Sequence, residues 1–353
     1  MRLRKSIVLT LGILLFSILF SREYEVQFHT VNINQNFVNR INSLGFDKLI
    51  FRVFEDEEDV GGLYYKNSVF KEKFDIFRRI ELDNNKNYWA WMITRTFKWL
   101  ENYKLYDFEY KNGNRLIVRK LDLFNPDVKL LLIKVFKDLV KTGVKGILIQ
   151  DDLTIRYNEG FSRWGRKAYE EKTDFVMDVE ELVKEDSYKK ENWLRIKMNK
   201  INEILKDIVK ETRKMNKNIK IGINVYYEEP ILFVKAKHWY SRSLKELMDT
   251  GVDYIYLMAY HRQMKRELRK SDYENKLFFR RMLRNAYQIC KDKLIVKMQI
   301  KDWITGDYIP LDEIMDYYGL IPDGIKRICF TPVKNRDYNY LKRLIKRLKT
   351  YDK

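Results

Sequence analysis

The chain has 353 residues, 45% hydrophobic and 34% charged, with 20 Phe, 24 Tyr and 7 Trp against 14 Gly and 5 Pro. Such a chain can bury a large core, which excludes a disordered, collagenous or low-complexity protein, and its 2 Cys cannot form a disulfide framework. The balance of 69 Lys and Arg against 50 Asp and Glu gives a net charge of +19, which suits polyanions or acidic membranes and equally a heat-adapted surface of charged networks.

Arg2, Arg4 and Lys5 precede an apolar run over residues 7–20, a basic n-region followed by an h-region. The run is shorter than the ~20 apolar residues of a comfortable membrane span. Residues 1–22 are therefore expected to be an export signal or, because no small-x-small cleavage site follows, an uncleaved N-terminal anchor that could associate with the membrane. Either way the body is expected outside the cytoplasm, in the periplasm or at the membrane.

In the body, β-rich apolar segments at 26–31, 49–54, 88–93, 146–150, 219–226, 254–259, 294–300 and 328–333 alternate with helical stretches. Val128, Leu131, Leu132, Val135, Phe136 and Leu139 share one face of a predicted helix over 127–141, and another helix is expected over 193–215. Leu341, Leu344, Ile345 and Leu348 mark an amphipathic closing helix whose apolar face packs inward. Eight strand–helix units predict an α/β fold, a (β/α)8 TIM barrel forming a single domain over residues 23–353. Cys290, late in a predicted helix, and Cys329, inside a predicted strand, are expected as buried free thiols.

Barrel active sites lie where strands end and loops begin. The strand ends here offer Glu55 through Asp59, Thr94 and Arg95, Asp151 and Asp152, Asn224 and Tyr226, Tyr260 and His261, Gln299 with Asp302 and Trp303, and Thr331. They are rich in carboxylates and aromatic rings. With 3 His in the chain, neither a catalytic triad nor a multi-histidine metal site has much to draw on, so neither metal nor cofactor is expected. The acidic loop at Glu55 to Asp59 reads as a solvated surface, and His29 and His261 as structural. Residues 144–152 form an apolar strand delivering Asp151 and Asp152 to its end, with Glu159 in the following loop. Adjacent strand residues face opposite ways, so one of the two aspartates can enter the barrel mouth directly while its neighbour orients it or binds a loop. Glycosidic cleavage needs a protonated acid at the leaving oxygen and a second group at the sugar's anomeric centre. A turn with solvated, helix-capping aspartates is the competing account.

At these residues the chain resembles the C-terminal glycoside hydrolase domain of PgaB, which processes poly-β-1,6-N-acetylglucosamine. The family's DGILFHDD strand is similar to residues 145–152, its YAWMP to residues 88–92, its LSPFDDRV to residues 121–128, its YTAVMAMP to residues 254–261, and a Gln-x-x-x-Trp to Gln299 and Trp303. The resemblance implies an exported hydrolase of an amino-sugar polysaccharide, standing alone without the family's metal-dependent deacetylase domain. Departures from the family pattern remove charge. Its histidine before the paired acids is Gln150 here, the acid after Glu159 is Gly160, the arginine before Asn224 is Ile223, and acids near the first strand appear as Asn32 and Asn34.

A chitinase-type strand, DGIDIDWE, is also similar and places its final acid on Asp152. Together these resemblances imply Asp152 as general acid, with Asp151 and Glu159 as orienting group or second carboxylate in either order. Trp91, Tyr226, Tyr260 and Trp303 fit sugar-stacking platforms, while Asn224 and Gln299 could hold sugar hydroxyls. Core packing competes for each ring. The alternative to an enzyme is a catalytically degenerate barrel that binds polysaccharide during export. A nucleic-acid partner is not expected.

Overall fold

The computed structural model describes residues 22–55, 62–70, 75–185 and 187–352. The segment expected to be an export signal lies outside them except for its last residue, and so do Asp56 to Asp59 of the acidic loop. Among the described residues, no helix is long and apolar enough to cross a membrane.

Eight parallel strands close into a barrel: β1 (Glu23–Phe28), β2 (Lys48–Arg52), β3 (Tyr88–Met92), β4 (Gly146–Ile149), β5 (Lys220–Tyr226), β6 (Tyr254–Met258), β7 (Leu294–Gln299) and β8 (Arg327–Val333). Closure is made by β1, where Glu25 is opposite both Lys48 of β2 and Cys329 of β8. Every pairing is parallel, as crossover helices between successive strands require. Helix Pro126–Val140 starts on an Asn125 cap with Pro126 in its first turn and buries Val128, Leu132, Val135, Phe136 and Leu139 against the 28-residue helix Tyr188–Met215. The closing helix, Tyr338–Tyr351, buries Leu341, Leu344, Ile345 and Leu348. Both thiols are free and buried.

The lower barrel is filled by large rings rather than by layers of aliphatic side chains. Trp89 and Tyr256 reach across it, and two glycines make room for them. A Cβ at Gly146 would lie 2.2 Å from the Trp89 ring, and one at Gly222 would lie 2.6 Å from Tyr256. Between these rings Lys48 forms a buried ion pair with Glu25 at 2.6 Å, and Tyr256 donates to Glu25 at 2.8 Å. The Lys48 ammonium also lies 4.2 Å from the Trp89 ring centroid.

An antiparallel hairpin, Tyr106–Lys111 with Asn114–Leu121, projects from the loop after β3. The alternation in the sequence did not announce it. Its turn is Asn112-Gly113 with φ of 52° and 80°, the left-handed pair that a two-residue hairpin turn demands.

Candidate active site

At the carboxyl ends of the strands a cavity of about 610 Å³ opens, with Gln150, Asp151 and Lys297 among its lining. Its walls are the rings of His29, Trp91, Tyr226, Tyr260 and Trp303, and Gln263, Arg266 and Glu267 come from the helix after β6. His29 packs 4.6 Å from Trp91 and 5.4 Å from Trp303, and Tyr260 lies 5.6 Å from Trp303. Trp303 remains 39% exposed, so part of its ring is open to a ligand.

Of the three acids expected to carry chemistry, the structure brings only Asp151 into this cavity. Strand β4 ends at Ile149, and beyond it the alternation of faces no longer applies, so Gln150 and Asp151 both line the pocket. Burial raises the Asp151 pKa, the neighbouring Asp152 charge adds to the rise, and the Tyr226 hydroxyl and Lys297 pull the other way. A carboxyl held in this way retains its proton to higher pH than a solvated one, as a general acid requires.

Asp152 turns away from the pocket and holds the loop after β3. It accepts hydrogen bonds from the backbone N–H groups of Thr94, Arg95 and Thr96 and from the hydroxyls of Thr94 and Thr96, all at 2.7–3.0 Å. Six contacts fall on its two oxygens, and it is not among the residues that line the cavity. The expected general acid is thus a loop anchor by its geometry.

Glu159 is also placed elsewhere. It is buried and accepts from Arg95 at 2.7 Å and Lys120 at 2.5 Å. Burial alone would raise its pKa, but the Arg95 and Lys120 charges and hydrogen bonds hold it down at about 2. Arg95 also binds Asp107 at 2.8 Å, and Gly160 N donates to Asp107 at 3.1 Å. This cluster fastens the hairpin to the loop after β4. Gly160 itself adopts φ +94°, and an added Cβ would sit 2.9 Å from Trp193, so the acid of the similar family has no place here.

The expected sugar-binding residues divide. Trp91, Tyr226, Tyr260 and Trp303 line the pocket. Asn224 is fully buried beneath it, bonded to Gln150 at 3.1 Å and Lys297 at 2.8 Å. Gln299 is buried away from it and spends its amide nitrogen on the Lys301 carbonyl at 2.9 Å. Asn34, at one of the lost acid positions, caps helix Gln35–Asn42 by accepting from Phe37 N at 2.9 Å.

Sequence reasoning missed several pocket residues, His29, Lys297 and Glu267 among them. His29, set aside as structural, lines the mouth one residue past β1; burial first, and then Lys297 and Arg52 among other cations, lower its pKa well below the ordinary value. Lys297 interrupts the apolar run of β7, a visible signal, since a lysine is rarely buried unless paired. Glu267 lies on a short helix with no motif to mark it. It accepts from Tyr227 at 2.6 Å and Gln263 at 2.8 Å.

Residues 23–330 match a family model described as hypothetical glycosyl hydrolase family 13. No curated protein matches the chain. Among solved structures, the glycoside hydrolase domain of PgaB (BpsB) from Bordetella bronchiseptica is similar at a TM-score of 0.75 and 17% identity, over 92% of this chain and 99% of that one. A β-galactosidase from Rahnella sp. R3 is similar at a TM-score of 0.61 and 9% identity, over 94% of this chain and 56% of that one. Another from Bacillus circulans sp. alkalophilus gives a TM-score of 0.56 at 12% identity, over 89% of this chain and 50% of that one. At these identities the likeness is one of fold.

Proposed function

Because the chain belongs to the hypothetical glycosyl hydrolase family 13, we propose that its barrel cleaves a glycosidic bond in the mouth pocket, with Asp151 as general acid. The observation that carries this reading is the place of Asp151, a partly desolvated carboxyl among rings able to cover the apolar faces of a sugar. Protonation of the leaving oxygen falls to Asp151. The other carboxylate on the pocket is Glu267, which replaces Glu159 as the second acid of the reaction. Trp91, Tyr226, Tyr260 and Trp303 form the sugar platform, and Asn224 acts from beneath by orienting Gln150.

The substrate we assign is an amino-sugar exopolysaccharide of the poly-β-1,6-N-acetylglucosamine type, met outside the cytoplasm. Support comes from the run of family-like motifs, the basic and apolar leader of residues 1–22, and the fold shared with the PgaB hydrolase domain. A second reading, a barrel that binds glycan without cutting it, is favoured by one fact: Asp152 and Glu159 are both consumed by structural contacts. Incubation with β-1,6-linked N-acetylglucosamine oligosaccharides and mass analysis separates the two. Shortened products that vanish in Asp151→Asn support the enzyme, whereas binding without products supports the module.

A further inference from the structure

The closing helix Tyr338–Tyr351 carries five Lys or Arg and no Asp or Glu. Its apolar stripe is buried in the core, and Lys342, Arg343, Lys346 and Arg347 stand exposed on the outer arc. Other outer helices interleave the two signs, as in Lys129 with Glu203 and Asp207, Lys184 with Glu180, and Lys265 with Asp272. On the closing helix Arg347 pairs with Asp312, while Lys342, Arg343 and Lys346 have no carboxylate partner among the described residues.

Beside this arc a groove of about 790 Å³ runs between the closing helix and helix Leu311–Tyr318. Arg343, Lys346 and Arg347 line it together with Leu311, Met315 and Tyr351, and Tyr351 is 58% exposed. Among the described residues no carboxylate lines it. The chain enters the barrel at the same corner. Arg22 donates to the Ile321 carbonyl at 3.0 Å, approaches Asp352 to 4.0 Å and lies 4.7 Å from the centroid of the Tyr318 ring. Tyr318 packs edge-on against Tyr351 at 5.5 Å. The apolar run of residues 7–20 is therefore joined to the body next to the groove.

We propose that this flank of the barrel docks on the headgroups of an anionic phospholipid bilayer. The inference does not depend on the hydrolase reading. Cations without ion pairs give up no protein partner when they meet lipid phosphates, and each contributes about fivefold to partition onto an acidic surface. An exposed tyrosine beside them suits the headgroup level, where one end of the ring is apolar and the other wet. The apolar run of residues 7–20 is shorter than a membrane span, and one weak apolar attachment becomes stable when a polybasic surface adds a second. The apolar stripe of the closing helix is already in the core, so the attraction is to headgroup charge and is screened by salt. Because the flank lies beside the strands and the mouth at their carboxyl ends, the pocket stays open along the membrane plane.

Co-sedimentation of the full chain with phosphatidylcholine vesicles, with and without phosphatidylglycerol, tests the assignment. The parent should prefer the phosphatidylglycerol vesicles, and high salt should erase that preference. The triple change Lys342→Gln, Arg343→Gln and Lys346→Gln should weaken binding to them about 100-fold and leave binding to pure phosphatidylcholine unchanged. The same charge removed from exposed lysines on the helices after β4, by Lys172→Gln, Lys206→Gln and Lys210→Gln, should cost no more than about threefold. Melting curves confirm that both triple variants are folded. Equal binding of the parent to the two vesicles, undiminished binding of the closing-helix variant, or equal losses in both variants overturns the proposal. So does retention of the parent by inorganic polyphosphate through the same three residues without recruitment to vesicles, which would make the flank a site for soluble polyanions.

Discussion

Two adjacent aspartates have been given opposite duties, and exchanging each for asparagine should separate them. Asp152 is the acceptor for three backbone N–H groups and two hydroxyls of the Thr94 to Thr96 loop. Asparagine keeps one oxygen and turns an NH2 toward groups that themselves donate, so at least two charge-assisted contacts are lost. At about 1.5–3 kcal/mol each, Asp152→Asn should cost about 3–6 kcal/mol of stability. Asp151 has the opposite balance. Its pKa is raised in the folded state, so its ionised form opposes folding at pH values above that pKa, and Asp151→Asn should leave the melting temperature unchanged or higher. Loss of a general acid should lower kcat by about 10²–10⁴-fold, or about 3–5 kcal/mol of barrier. Urea unfolding supplies the stabilities, and oligosaccharide hydrolysis per folded molecule supplies the rates. The assignment fails if Asp152→Asn abolishes cleavage at unchanged stability while Asp151→Asn cleaves at nearly the original rate.

Other perturbations follow from the same geometry. Glu159→Gln leaves the buried Arg95 short of a charge partner and should destabilise by about 3–5 kcal/mol. The Glu159 carboxyl is held at about 2 instead of 4.5, so its contribution is complete above pH 4.5 and drains as pH falls toward 2; the urea midpoints of variant and parent should converge over that window. Trp303→Ala removes the open ring at the mouth and should raise KM for oligosaccharides about three- to tenfold with kcat little changed, read from initial rates. Glu25→Gln strands Lys48 inside the barrel and should cost about 3–5 kcal/mol by denaturant unfolding, part of which the added change Lys48→Met should recover.

The barrel was legible because its signal is repeated. Eight apolar strands alternating with 3.6-period helices leave few other solutions, although β1 begins at Glu23 rather than at residue 26 and β2 ends at Arg52 rather than at 54. The hairpin at Tyr106–Leu121 was signalled only by Asn112-Gly113, a cue that was not used. Within the site, strand parity allowed one of Asp151 and Asp152 into the mouth but could not choose between them. The choice depends on the turn after Ile149, where side-chain direction is set by contacts with the loop after β3, far away in sequence. The place of Glu159 outside the pocket was hidden for a related reason, since its partner Arg95 is 64 positions away. Lys297 was visible as a charge inside an apolar strand, but its meaning required Asn224 and Gln150, which come from other strands.

The bonds from the end of β4 to Thr94, Arg95 and Thr96 also bear on how this barrel could be re-engineered. A donor loop grafted after β3 to change glycan preference would arrive without the N–H groups and hydroxyls that Asp152 requires, and would leave Glu159 without Arg95. The practical unit of exchange is therefore the hairpin loop together with residues 150–160, transplanted as one cassette.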